Sequence, residues 1–192
     1  MRTGIIALIV VALLFMFGCN KYNGMVKVDE SVKNKWGAVQ SAYQRRADLI
    51  PNLVSTVQGA ANFEKTTLTQ VMEARASATQ IKVDVNDLSP EKIQQYQAAQ
   101  GQLSQALGRL LAVSEAYPDL KANQNFRDLQ VQLEGTENRI NVARNDFNDA
   151  VNGYNSTIRT FPNNIVAGFT GFKAKGYFTA DAAAQEAPKV KF

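Results

Sequence analysis

Five charged side chains recur at helical spacing among apolar ones: Arg46, Glu64, Arg75, Glu137 and Arg144. A charge on the buried face of a helix needs an opposite partner, because an unpaired one costs several kcal/mol on the order seen for buried ions. Glu64 with Arg144, and Glu137 with Arg75, are the expected cross-helix pairs. Such pairs set helix register, or else mark the solvated edge of an apolar stripe. The catalytic alternative is a carboxylate-dependent hydrolase or metal enzyme built on Glu64, Glu115 or Glu137, which would need two acids converging in a cleft. Histidine is absent from the chain. That excludes the usual general base, any Ser-His-Asp or Cys-His arrangement, and the Glu-x-x-His element of di-iron bundles. No catalytic residue, metal ligand or cofactor is therefore assigned.

A second chemistry belongs to Cys19, the only cysteine. Arg2 precedes an apolar run from Gly4 to Phe17, and Gly18-Cys19-Asn20 follows. A positive start, a short apolar core and a small residue at the exit describe a secretory signal. About fifteen helical residues at ~1.5 Å each cover roughly 22 Å, short of a hydrocarbon core of about 30 Å. The expectation is a signal peptide over residues 1–18, with the Cys19 thiol carrying lipid as in bacterial lipoproteins and residues 19–28 forming the anchor and linker. An uncleaved anchor helix, with Cys19 a bystander, is the alternative. Either form ties the chain to a membrane with its domain outside the cytoplasm. More than one acyl chain holds a protein stably. Asn20 is not the aspartate that retains lipoproteins in the inner membrane, which points to the outer membrane in a cell that has two.

A third group lies near the C-terminus, where Gly168, Gly171 and Gly176 alternate with Phe169, Phe172, Tyr177 and Phe178 among Lys173 and Lys175. Glycine at this density disfavours a long helix. These aromatics either dock on the end of a bundle or form an exposed aromatic-basic surface that meets lipid headgroups or a protein partner.

The elements that would position these groups are helices. Val28, Val32, Trp36, Val39, Tyr43, Ile50, Leu53 and Val57 share one seam with steps of three and four, and Leu68, Val71 and Ala78 continue it. Pro51 predicts a kink in one continuous helix, because the seam keeps its phase across it. Asn86-Asp87 turns the chain, and Ser89-Pro90-Glu91 starts a second helix carrying Ile93, Tyr96, Leu103, Leu107, Leu110 and Val113, ending before Tyr117-Pro118. Asn123 caps a third, with Phe126, Leu129, Leu133, Ile140, Phe147, Val151, Tyr154 and Ile158 on its seam, closed by Pro162. The fold class is thus all-α: an antiparallel bundle over residues 29–162, of three long helices with the first kinked at Pro51, or counted as four. Residues 163–192 are expected to be irregular, with the last of them extended or disordered. The formal charge of +4 is dispersed, with Arg45-Arg46 the one adjacent basic pair, so nucleic acid is not an expected partner.

Longer strings carry a resemblance. Trp36-Gly37-Ala38-Val39-Gln40, Arg45 through Val54 with Ile50-Pro51-Asn52, Ala74-Arg75, Leu103 through Leu107, Glu115 through Asn123, Thr136 through Ile140 and Ala143-Arg144 are similar to LemA family proteins. So are Asn148, Val151, Tyr154, Asn155, Phe161 and Pro162. The resemblance implies a membrane-anchored helical bundle whose relatives are associated with envelope membranes, some of them with magnetosome membranes. It supplies no catalytic residues. Many relatives have a plain membrane helix in place of the lipid-bearing cysteine, and many have histidine where Phe63 stands. The function expected is a non-enzymatic scaffold or adaptor meeting other envelope proteins, its oligomeric state open; membrane remodelling and the carboxylate enzyme are the rivals.

Overall fold

In the computed structural model, which describes residues 2–59 and 64–179, Arg2–Gln58 form one helix, α1. Then come α2 (Lys65–Gln80), α3 (Pro90–Ser114), the short α4 (Pro118–Ala122), α5 (Gln124–Arg159) and α6 (Asn163–Thr170). The predicted all-α bundle is present. Helix α5 runs antiparallel to α1: Lys35 Nζ meets Asp146 at 2.7 Å at one level and Arg46 meets Glu137 at 2.7 Å further along. Helix α2 folds back on the end of α1, and α3 lies antiparallel to α2, with Gln100 Nε2 donating to the Ala78 carbonyl at 3.3 Å. The result is an up-down-up-down arrangement in which α1 and α3 face each other diagonally, through Trp36 and Tyr43 against Tyr96.

The version with one kinked first helix requires correction. Pro51 lies inside α1 and does not end it; the chain reverses between Gln58 and Lys65, so the seam from Val57 to Leu68 belongs to two helices. Pro51 has no N–H for the carbonyl of Ala47, four residues back. Arg75 on α2 fills that vacancy, its Nε donating to Ala47 O at 2.8 Å. The proline thereby becomes a docking point for the neighbouring helix.

Two start signals act as their chemistry predicts, with one difference. The side chain of Asn123 accepts from Phe126 N at 3.3 Å at the head of α5. Ser89 stands at the N-cap of α3 with Pro90 in the first turn and its carbonyl accepts the first helical bond, from Ile93 N at 3.1 Å, but its hydroxyl makes no capping bond.

The seam residues form two clusters. One joins Val32, Trp36, Val39, Tyr43, Ile93, Tyr96, Ile140, Phe147, Val151 and Tyr154. The other joins Ile50, Leu53, Val57, Leu68, Val71, Leu103, Leu107, Leu110, Phe126 and Leu133. The clusters part at Tyr43/Ile50, Tyr96/Leu103 and Leu133/Ile140, and the gap is polar.

The region after Pro162 is more ordered than its glycines suggest. Helix α6 forms first and ends at Gly171, whose φ of 80° is the left-handed conformation that glycine adopts without penalty. Gly171 N and Phe172 N both donate to Ala167 O, at 3.0 and 3.2 Å, closing the helix. Residues 172–179 then run without regular structure along the groove between α3 and α5. Phe63 and the tail expected to be extended, residues 180–192, lie outside the described residues.

Candidate functional site

The apolar start of α1 stands clear of the core: Ile5, Leu8, Leu13 and Phe15 are all well exposed, and among the described side chains Met25 is the first that is buried. Among the described residues, α1 is the one helix long and apolar enough to cross a membrane, a property that the core of a signal sequence shares. Cys19 is exposed on α1, within the same unbroken helix that later lines the core.

Midway along the bundle, the polar gap is organised by Arg46, which is 1% exposed. Its Nη1 donates to Ser104 Oγ and Glu137 Oε1, both at 2.7 Å. Its Nη2 donates to Gln100 Oε1 at 2.6 Å and to the Gln100 carbonyl at 3.2 Å, while the guanidinium lies 5.0 Å from the Tyr43 ring. Only Nε lacks an acceptor. The Glu137 carboxylate is 43% exposed, so one end of the ion pair is open to water. Burial, and then nearby Tyr43, hold the Tyr96 hydroxyl well above the usual tyrosine range and therefore protonated.

Both expected pairings are corrected. Glu137 meets Arg46, because α5 lies against α1 at that level, and Arg75 serves the Ala47 carbonyl. Glu64 is exposed at the head of α2 and makes no capping bond. Arg144 donates to the Thr179 carbonyl at 2.9 Å and lies 4.9 Å from the Phe178 ring. Glu115 meets Lys121. The acids named as catalytic candidates thus occupy separate places, and among the described residues no three acidic or thiol side chains stand together in a way that could hold a metal.

The aromatic-basic segment does not form one exposed face. Phe178 is buried against Trp36 and Phe147, at ring separations of 6.1 and 5.6 Å. Phe172 is half-buried, with Tyr22 at 5.6 Å, and Lys175 is buried. Phe169, Lys173 and Tyr177 remain exposed. The segment is held by amide side chains that treat it as a strand would. Asn155 donates to Lys175 O and accepts from Lys175 N, both at 2.9 Å; Asn148 does the same for Phe178 at 2.8 and 2.9 Å. Gln97, across the groove on α3, clamps Thr179 O and N at 2.8 and 3.1 Å. Asn148 and Asn155 lie seven residues apart, two turns along one face of α5. That spacing of amides on an otherwise apolar face is the signal by which the clamp could be read from sequence. Gly176 N donates to Leu88 O at 2.9 Å, and a Cβ at Gly176 would lie 2.6 Å from Pro90 Cα.

Lys175 also fastens the segment to α1. Its Nζ meets Asp29 Oδ1 at 2.8 Å and sits 5.0 Å from the Tyr154 ring, whose hydroxyl donates to Lys173 O at 2.9 Å. Burial alone would raise the Asp29 pKa; the Lys175 and Lys33 hydrogen bonds and charges outweigh it and hold the carboxyl below its usual value. Burial, then the Asp29 charge, push the Tyr154 hydroxyl up to about 12.

On the outer side of the α1–α5 pair is an open groove of about 970 Å³, whose lining includes Ala42, Arg45, Asp48, Arg139, Val142 and Asp146. It mixes both charges with small and apolar side chains.

Comparison with known proteins places this architecture. The sequence profile of the LemA family matches residues 35–192. The chain is similar to Magnetosome protein MamQ 2 of Paramagnetospirillum magneticum, 28% identical over 177 residues that cover 82% of this chain and 64% of that protein. Protein LemA of Metamycoplasma hominis is 24% identical over 160 residues, covering 83% and 69% respectively. Magnetosome protein MamQ of Magnetospirillum gryphiswaldense is 27% identical over 175 residues, covering 82% and 64%. The match therefore spans slightly less than two thirds of the magnetosome proteins' length. These relatives carry no enzymatic name, and the chain belongs to the LemA family.

Proposed function

We propose that this protein is a membrane-tethered, non-enzymatic scaffold or adaptor of the bacterial cell envelope. The observation that carries the reading is the continuity of α1. The helix that bears the exposed apolar run and Cys19 passes without interruption into the bundle, where it supplies Trp36, Tyr43, Arg46 and Ile50 to the core. A tether at its head, whether lipid on Cys19 or the apolar helix itself, would hold the whole bundle outside the cytoplasm as one body. An outer-membrane location follows from Asn20 in a cell with two membranes.

The polar groups also favour a scaffold. Arg46, the buried charge at mid-bundle, is spent on neighbouring helices, and the candidate acids do not share a cleft. The relatives' names attach some of them to an organelle, the magnetosome, and none to a reaction. The α1–α5 groove is the surface offered to a protein partner. A photo-crosslinking residue at Val142, in cells making the full chain, is expected to give discrete, reproducible adducts that disappear with Ala42→Trp. Absence of adducts, or adducts indifferent to that substitution, would overturn the reading.

A further inference from the structure

Helix α6 presents two faces. Ala167 is buried and Val166 half-buried in the cluster that contains Met25 and Val28 of α1. The opposite side carries Ile165 and Phe169, one helical turn apart and 51% and 89% exposed, with Phe161 at 75% just before the helix. Ile165 and Phe169 share one face of α6, while Phe161 precedes the helix across the cis peptide bond to Pro162.

The place of the stripe identifies what covers it. Helix α6 and the residues after it pack beside α1 one to two turns past the end of its apolar run: Phe17 closes the run, Tyr22 touches Phe172, and Met25 is in the α6 cluster. Five to eight helical residues at ~1.5 Å amount to roughly 8–12 Å, which reaches the outer edge of a headgroup layer about 5–8 Å deep on each side of the hydrocarbon core. Lys21 and Lys27 on α1 and Lys173 after α6 lie at the same end, as basic residues do where an apolar face enters a lipid interface. An apolar stripe beside the helix that carries the apolar run, with lysines at the same end of the bundle, fits a bilayer surface.

We infer that α6 is a second membrane contact, with Phe161, Ile165 and Phe169 inserted in the interfacial layer of the bilayer that anchors α1. The inference rests on the membrane tether of the preceding reading. It is made for the chain that retains the apolar helix of α1, the form whose tether Cys19→Ser leaves intact. Two contacts side by side would fix the tilt of the bundle over the membrane, where one tether leaves it free to swing.

The test uses the full chain in phosphatidylcholine–phosphatidylglycerol vesicles, with Cys19→Ser and single environment-sensitive labels at Phe169→Cys, Phe15→Cys and Val131→Cys. All three positions are exposed, so labelling leaves the core intact, and Val131 lies on α5 far from this end. The label at 169 is expected to shift blue and to be quenched several-fold more by shallow lipid nitroxides than the label at 131, with Phe161→Ser and Ile165→Ser together reducing the quenching. Quenching at 15 but none at 169 would overturn the inference and leave the tether standing. No quenching at either would overturn the inference together with the retained-helix tether. Equal quenching at 131 would also overturn it, since the whole bundle would then be lying on lipid.

Discussion

Arg46 and Asp29 show how much of this molecule turns on single charges. Arg46 occupies a seam position between Tyr43 and Ile50, where an apolar residue would unite the two clusters. Its helical phase was legible in the sequence, but its partners were not: spacing shows which face a residue occupies, whereas the pairing depends on the level at which α1, α3 and α5 meet. Gln100 holds the guanidinium with two acceptors in a buried setting, and Glu137 reaches it from the half-wet side. Gln100→Ala removes the buried side-chain acceptor but keeps the backbone carbonyl, so it is expected to cost about 2–3 kcal/mol, and Glu137→Ala about 1–2 kcal/mol, because water can replace only the exposed partner. Denaturant melts check the order; equal losses would contradict it. Asp29 gives a pH dependence. Its folded-state pKa is below the ordinary carboxyl value, so the stability it contributes is fully present above about pH 4 and is lost as pH falls through the lowered value. The gap in denaturation midpoint between wild type and Asp29→Asn should be widest near neutrality and close in acid.

At the scale of elements, Pro51 and the terminal segment carry the clearest lessons. The seam across Pro51 kept its phase, and Pro51 indeed lies within a helix; the reversal comes after Gln58, next to Gly59, an ordinary turn residue. Periodicity could not mark that break, because an antiparallel hairpin returns the same stripe to the same core. The link from Arg75 to the Ala47 carbonyl should be tied to the proline. Arg75→Ala is expected to destabilise the wild type by about 1 kcal/mol and the Pro51→Ala protein by less, since the backbone there regains its own donor. Additive losses in the double-mutant cycle would reject the coupling. The segment 172–179 was legible as glycine-rich and non-helical, but its partners, Asn148, Asn155 and Gln97, lie far away in sequence. Gly176→Ala would force a Cβ onto Pro90 and is expected to cost about 2 kcal/mol. Hydrogen exchange should then speed up at Lys175 and Phe178, whose amides the two asparagines hold; unchanged protection would show that the clamp tolerates the shift.

For the whole molecule, the apolar head of α1 is a single short run from Gly4 to Phe17, whereas the antiparallel bundle follows from patterns that span dozens of residues, which is why it could be read from the sequence. The groove along α1 and α5 could not, because its lining residues look like any solvated helix face until the two helices are set side by side. Under the proposed tether, a long helix shared by anchor and core would make position relative to the membrane a property of the fold. Cells making the full chain with a photo-crosslinker at Val142 can be irradiated, separated into soluble and carbonate-washed membrane fractions, and probed on one gel. The account predicts that the chain and its discrete Val142 adducts stay together in the washed membranes. A full-length chain in the soluble fraction, or membrane-bound chain with no adduct, would contradict it.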